Sequence, residues 1–166
     1  MNSEDFSALW APWRVEYFKA GGASPDFLLE AARATDDAKH LVVTRRAHSF
    51  LIMNRYPYAV GHLMAVPARK VGELDQLTVD EKLELLELTE HAQRLLREVV
   101  RAQGFNVGLN LGKCAGAGVV EHLHLHIVPR WEGDHNFMPV LADTRILPEA
   151  LDSLYAKLIA AQRAGV

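Results

Sequence analysis

The chain has 166 residues, 49% hydrophobic and 23% charged, with a formal net charge of −3. That length suits one buried domain and is short for two, no apolar run nears the roughly 20 residues of a membrane span, and the acidic balance opposes a broad surface for long nucleic acid while leaving room for a small anionic ligand. A single cysteine, Cys114, excludes an internal disulfide and a thiolate-built zinc site, and Met1 to Ala8, with Glu4 and Asp5, lacks the basic start and apolar core of a secretory signal, so cytoplasm is the expected location.

Leu9-Trp10-Ala11-Pro12-Trp13-Arg14 reads as part of an N-terminal arm, about residues 1–25, that packs its aromatics on the core or on a second subunit. Gly21 to Pro25 is loop-like. Leu41–Thr44 and Ser49–Asn54 read as paired strands around an Arg45–His48 turn, and His62–Val66 is a further apolar run between Gly61 and Pro67. From Thr78 to Gln103 the period becomes helical, with Leu83, Leu86, Ala92, Leu95, Leu96 and Val99 as the apolar stripe. Thr78 with Glu81 makes a capping box, and Gly104 is placed to end the helix in a left-handed conformation. Phe105–Leu111 reads as a strand, followed by a small-residue loop, Gly112 to Gly118. A second helix is expected from about Pro148 to Arg163, within a C-terminal tail of about residues 147–166. The sum is a single α+β domain over 1–166, helices on a mainly antiparallel sheet.

Residues 122–129 read His-Leu-His-Leu-His-Ile-Val-Pro. On a strand, His122, His124 and His126 project from one face and the aliphatic residues from the other. Three readings compete: a solvated polar face, a histidine-held metal, and nucleophilic catalysis on phosphorus. Metal binding lacks an evident carboxylate or thiolate partner, because Glu121 points to the opposite face from His122. The glycine-rich loop before the strand supplies backbone N–H donors suited to an anion.

The stretch from Ala115 to Trp131 resembles the histidine-triad family of nucleotide hydrolases and transferases, whose motif is His-φ-His-φ-His-φ-φ with φ aliphatic. The resemblance extends to Ser49–Asn54, Pro57 and Gly61-His62, and to Phe105–Gly112. The Leu9–Arg14 arm, Trp131–Asp134 and Asn136–Val140 are similar to the bacterial branch near the diadenosine-polyphosphate hydrolases and phosphorylases.

The resemblance implies a homodimer, with the long helix and an adjacent strand as interface. It implies that His124 attacks the α-phosphorus of a nucleotide to give a covalent nucleotidyl-histidine, with its other ring nitrogen donating to a backbone carbonyl. It casts His122 and His126 as holding phosphoryl oxygens and moving protons, and His62 as ordering the triad. Asn54 falls at the position that holds the ribose hydroxyls, and Ile52 and Met64 at the walls of the base pocket. Asn110, Lys113 and the backbone around Gly116 and Gly118 fall at phosphate-binding positions. No cofactor is implied, although a divalent cation bound with the substrate phosphates fits the chemistry.

Two departures matter. Gly116-Ala117-Gly118-Val119 lacks the glutamine or serine that many relatives place near the leaving group. Many bacterial relatives also hold a structural zinc through a Cys-x-x-Cys and histidines. Here Ser24-Pro25-Asp26-Phe27 and Arg69-Lys70 stand at the matching places, so no structural zinc is expected. The activity expected is cleavage of dinucleoside polyphosphates of the diadenosine tetraphosphate type, by water or by phosphate. An adenosine phosphoramidase and a low-activity nucleotide-binding sensor or scaffold are the alternatives.

Overall fold

A computed structural model describes residues 26–134 and 150–166 of the chain. The Leu9–Arg14 arm and the Asn136–Val140 segment lie outside the described residues. Two short helices come first, α1 (Phe27–Arg33) and α2 (Asp37–His40). At one and two turns neither is long enough to show a sequence period. Asp36 caps α2 by accepting from the Lys39 N–H at 3.1 Å, and Leu41 ends it at φ 59°.

Five strands follow among the described residues: β1 (Val42–Arg45), β2 (Ser49–Met53), β3 (Leu63–Pro67), β4 (Gly104–Gly108) and β5 (Leu125–Arg130). They form one sheet in the order β1-β2-β3-β5-β4, every neighbouring pair antiparallel. The long helix α3 (Val79–Val100) connects β3 to β4, and α4 (Leu151–Arg163) closes the described chain. This is the α+β architecture expected from the sequence.

Strand alternation splits the core into two layers. Leu51, Met53, Leu63, Ala65 and Ile127 face α3 and α4, meeting Leu88, Ala92, Leu95, Leu96, Leu154 and Leu158. Phe50, Ile52, Met64 and Val66 face the other way and pack under α1 with Leu28 and Ala31. Every residue of β2 and β3 is therefore buried. That double burial explains their nearly continuous apolar sequences.

Three expectations are corrected. In α3 the Thr78–Glu81 capping box forms, but the buried face runs through Leu85, Leu88, Ala92, Leu95 and Leu96, while Leu83 and Leu86 are 54% and 59% exposed. Leucines at 83, 85, 86 and 88 lie on both sides of the helix, so periodicity alone does not choose between them. The helix ends at Arg101, φ 56°, where the Ala102 N–H reaches back to the Leu96 carbonyl at 3.2 Å. Gly104 instead opens β4, opposite Arg130. Finally, β5 begins at Leu125, not at His122. Its partner β3 ends at Pro67, which has no N–H to extend a ladder. The chain is held there by His122 Nε2 donating to the Pro67 carbonyl at 2.8 Å and the Leu123 N–H donating to the Val71 carbonyl at 2.7 Å.

Candidate active site

A row of residues crosses the sheet on the α1 face: Val42 opposite Ile52, Ile52 opposite Met64, Met64 opposite His126, and His126 opposite Gly108. The apolar end of this row is roofed by α1. Its histidine end forms the floor of an open cleft lined by both polar and apolar side chains. Met64, His126 and His124 line the sheet side, Phe27 the α1 side, and Gly116, Gly118 and Val119 the glycine loop. Asn54, Arg55, Tyr56 and Tyr58 line the turn between β2 and β3, and Asn110 the exit of β4.

His124 is oriented by its own segment. Its Nδ1 donates to the His122 carbonyl at 2.8 Å, which leaves the Nε2 lone pair for the cleft. Burial pushes its pKa below the ordinary imidazole value, opposed by that backbone bond. The ring at neutral pH is therefore uncharged, which a nucleophile requires.

His126 has its proton placed by a relay. The Tyr58 N–H donates to His62 Nδ1 at 3.1 Å, so the His62 proton sits on Nε2. His62 Nε2 lies 2.9 Å from His126 Nδ1, which must accept. The remaining proton of His126 is on Nε2, and the Asn110 amide, 3.5 Å away, can meet that N–H only with its oxygen as acceptor. His126 thus presents an N–H on the cleft, next to the His124 ring at a centroid distance of 4.9 Å. His62 itself is 1% exposed, and burial, reinforced by His126 and His124, lowers its pKa to about 3. It holds the relay in one tautomer across the physiological range. Tyr58 stacks on His62 at 4.7 Å between centroids and closes that side.

The three histidines do not form one wall. His124 and His126 line the cleft, whereas His122 is 1% exposed behind them, and its Nδ1 has no hydrogen-bond partner. Burial also lowers its pKa, so it is neutral, and its carbonyl orients His124. Asn54 lines the cleft, its Oδ1 accepting from the Tyr56 N–H at 2.8 Å. Met64 is in place as a wall, but Ile52, 2% exposed, lies one strand further under α1 and does not line the cleft. Lys113, in a 3-10 turn (Lys113–Ala115), is exposed and also outside the lining. Gly116, at φ 87°, spends its N–H on the Lys113 carbonyl at 3.1 Å, so of the two loop glycines the geometry leaves Gly118 as the donor to an anion.

Phe27, Arg55, Tyr56, Tyr58 and Val119 are lining residues that sequence reasoning missed. A signal existed for the tyrosines, since Tyr56-Pro57-Tyr58 sits between Asn54 and Gly61-His62. Phe27 lies on a helix too short to leave one.

At the places where the family resemblance would put a structural zinc, Lys70 Nζ bridges Asp26 at 2.5 Å and Glu121 at 2.8 Å. A set with an ammonium at its centre and no thiolate does not suit zinc. Among the described residues no three His, Cys, Asp or Glu side chains gather as metal ligands, and no helix is long and apolar enough to cross a membrane.

Residues 35–133, more than half of the chain, match the HIT domain family model. An AP-4-A phosphorylase of Mycobacterium tuberculosis is 40% identical over 156 residues, 89% of this chain and 80% of that protein. An asymmetrical bis(5'-nucleosyl)-tetraphosphatase of Schizosaccharomyces pombe is 33% identical over 93 residues, 56% of this chain and 50% of that one. A zinc-bound histidine triad family protein from Mycobacterium smegmatis shares the fold, with a TM-score of 0.62 at 23% identity over 75% of this chain and 85% of that one. The family match spans the strands and loops that position His62, His124 and His126, and on it the chain is a member of the HIT domain family.

Proposed function

We propose that the chain cleaves dinucleoside polyphosphates of the diadenosine tetraphosphate type at the phosphorus next to one adenosine, through an adenylyl group held on His124. The observation that carries this reading is the Nδ1–H bond of His124 to the His122 carbonyl, which leaves a neutral Nε2 facing the cleft. In the first step Nε2 forms a bond to the α-phosphorus while the bond from phosphorus to the bridging oxygen breaks, and ATP departs with that electron pair. In the second, an oxygen of water or inorganic phosphate attacks the same phosphorus. The N–P bond breaks, returning the pair to Nε2 and releasing AMP or ADP. The two-step route replaces one difficult displacement with two easier ones.

The other residues take roles that follow from their places. His126 Nε2–H and the Gly118 N–H face the phosphoryl oxygens, Asn110 adds its amide, and a divalent cation accompanies the phosphates. Met64 and Phe27 take the base, and Asn54 the ribose. His62 positions His126, and His122 positions His124. Val119 gives the loop no polar side chain for the leaving group, and a polyphosphate leaves as a stable anion without one.

The chain works as a cytoplasmic homodimer in this reading. The exposed Val79, Leu83 and Leu86 on α3 and the open edge of β4, with Val107 45% exposed, are the surfaces a second copy would cover. Sedimentation showing only monomer at micromolar concentration would contradict that part. The activity is tested by incubating the protein with diadenosine tetraphosphate with and without inorganic phosphate. ATP plus AMP marks hydrolysis, ATP plus ADP marks phosphorolysis, and no turnover sinks the proposal. The 40% identity to a phosphorylase supports the second outcome.

A further inference from the structure

We infer that Lys70 sets the width of the nucleotide cleft by clipping its two walls together from behind, as a positioning residue that touches no ligand. This rests on the proposed nucleotide-binding function. One wall is Phe27, the first residue of α1, and the other is the Gly118-Val119 stretch. Lys70 is bonded next to each of them: Asp26 directly precedes Phe27, and Glu121 follows Val119 by two residues.

The glycine-loop side is already fixed to the chain after β3 by its backbone. The Leu123 N–H bonds Val71, and a Cβ on Gly72 would lie 3.1 Å from the Val120 carbonyl oxygen. Helix α1 is held differently. Arg45 secures its C-terminal end, donating to the carbonyls of Ala31 at 2.7 Å, Ala32 at 2.8 Å and Ala34 at 3.0 Å. At its N-terminal end the Lys70–Asp26 pair is a charged tie among the described residues.

The cap of α1 points the same way. Asp26 occupies the N-cap position, where a carboxylate ordinarily accepts a helix N–H, yet it makes no side-chain cap bond and its Oδ1 goes to Lys70. Of the two partners Asp26, at 45% side-chain exposure, is the more sheltered and Glu121, at 77%, the more solvated, so the tie to α1 is the stronger arm.

The test uses the full chain, with AMP as the binding probe and diadenosine tetraphosphate as substrate. Lys70→Met is expected to weaken AMP binding and raise KM by about three- to fivefold, with kcat within about twofold. Lys70→Arg should restore binding, and Phe27→Ala should weaken it no further when Lys70→Met is added, because the clip acts through Phe27. AMP binding by Lys70→Met equal to wild type, a kcat loss at unchanged KM, or full additivity with Phe27→Ala would each overturn the inference. Asp26→Asn cuts the same tie if Lys70→Met does not fold. Should the wild type bind no AMP, the function proposal fails. The clip is then read by amide exchange alone, where faster exchange over Phe27–Arg33 in Lys70→Met supports it and unchanged exchange refutes it.

Discussion

Histidine 62 should make the fold acid-sensitive in a way that one substitution removes. Its folded pKa is about 3 against an ordinary 6.5, because the ring is buried and faced by His126 and His124. Between those values the unfolded chain binds a proton that the folded chain refuses, so stability is complete above about 6.5 and is lost as the pH falls toward 3. At pH 5 the folded ring is still neutral while the unfolded one is mostly charged. The loss from pH 7 to pH 5 is therefore about 2 kcal/mol from this residue, fixed almost wholly by the ordinary pKa. His62→Asn keeps a group able to accept from the Tyr58 N–H but cannot titrate, so it should abolish that share. The assay is urea unfolding of both proteins at pH 7, 6 and 5, comparing slopes with pH rather than absolute values. His122 and His124 titrate in both, so their contributions cancel. Wild type should lose about 2 kcal/mol more than the variant over this range, and parallel curves would refute the assigned burial and tautomer relay.

Three further outcomes follow from the same geometry. Gly61→Ala places a methyl 2.7 Å from Leu96 Cδ2 at φ +80°, so strain and overpacking together should cost about 2–4 kcal/mol, seen as a drop in thermal midpoint of roughly 6–12 °C. Glu81→Gln weakens a buried carboxylate that accepts from Arg69 at 2.5 and 2.8 Å and from the Thr78 N–H at 2.7 Å, and should cost about 1–3 kcal/mol at pH 7 in urea unfolding. Since Arg69 chiefly lowers that carboxyl from 4.5 to about 2, the deficit should shrink as pH falls below 4.5. Asn54→Asp retains the acceptor for the Tyr56 N–H but adds a negative charge to the cleft, and steady-state kinetics should show KM for diadenosine tetraphosphate raised about tenfold.

The sheet and the long helix were legible because their signals are local. Ser49–Met53 and Leu63–Pro67 are short apolar runs bounded by turn residues, and Thr78 with Glu81 marks the start of α3 within one helical turn. What escaped depends on distant partners. Whether Leu83 or Leu85 faces the core is decided by where the sheet lies, and the left-handed end at Arg101 by the carbonyl of Leu96. In the site, the His-x-His-x-His spacing located the chemistry, and the Nδ1 bond to a backbone carbonyl at His124 was anticipated. The withdrawal of His122 behind the wall was not, since it follows from Pro67 ending the β3 ladder. Phe27 reaches the cleft only through the placement of α1, which no periodicity in seven residues reveals.

In the proposed reaction His124 Nε2 takes the adenylyl group. Rapid acid-free quenching of the protein with diadenosine tetraphosphate, followed by intact-protein and peptide mass spectrometry, tests it directly. The expected result is an adenylyl increment localised to His124, removed by added inorganic phosphate with release of ADP if the acceptor is phosphate, and absent in His124→Ala. Turnover with the adduct on His122 or His126, or undiminished turnover in His124→Ala, would contradict it.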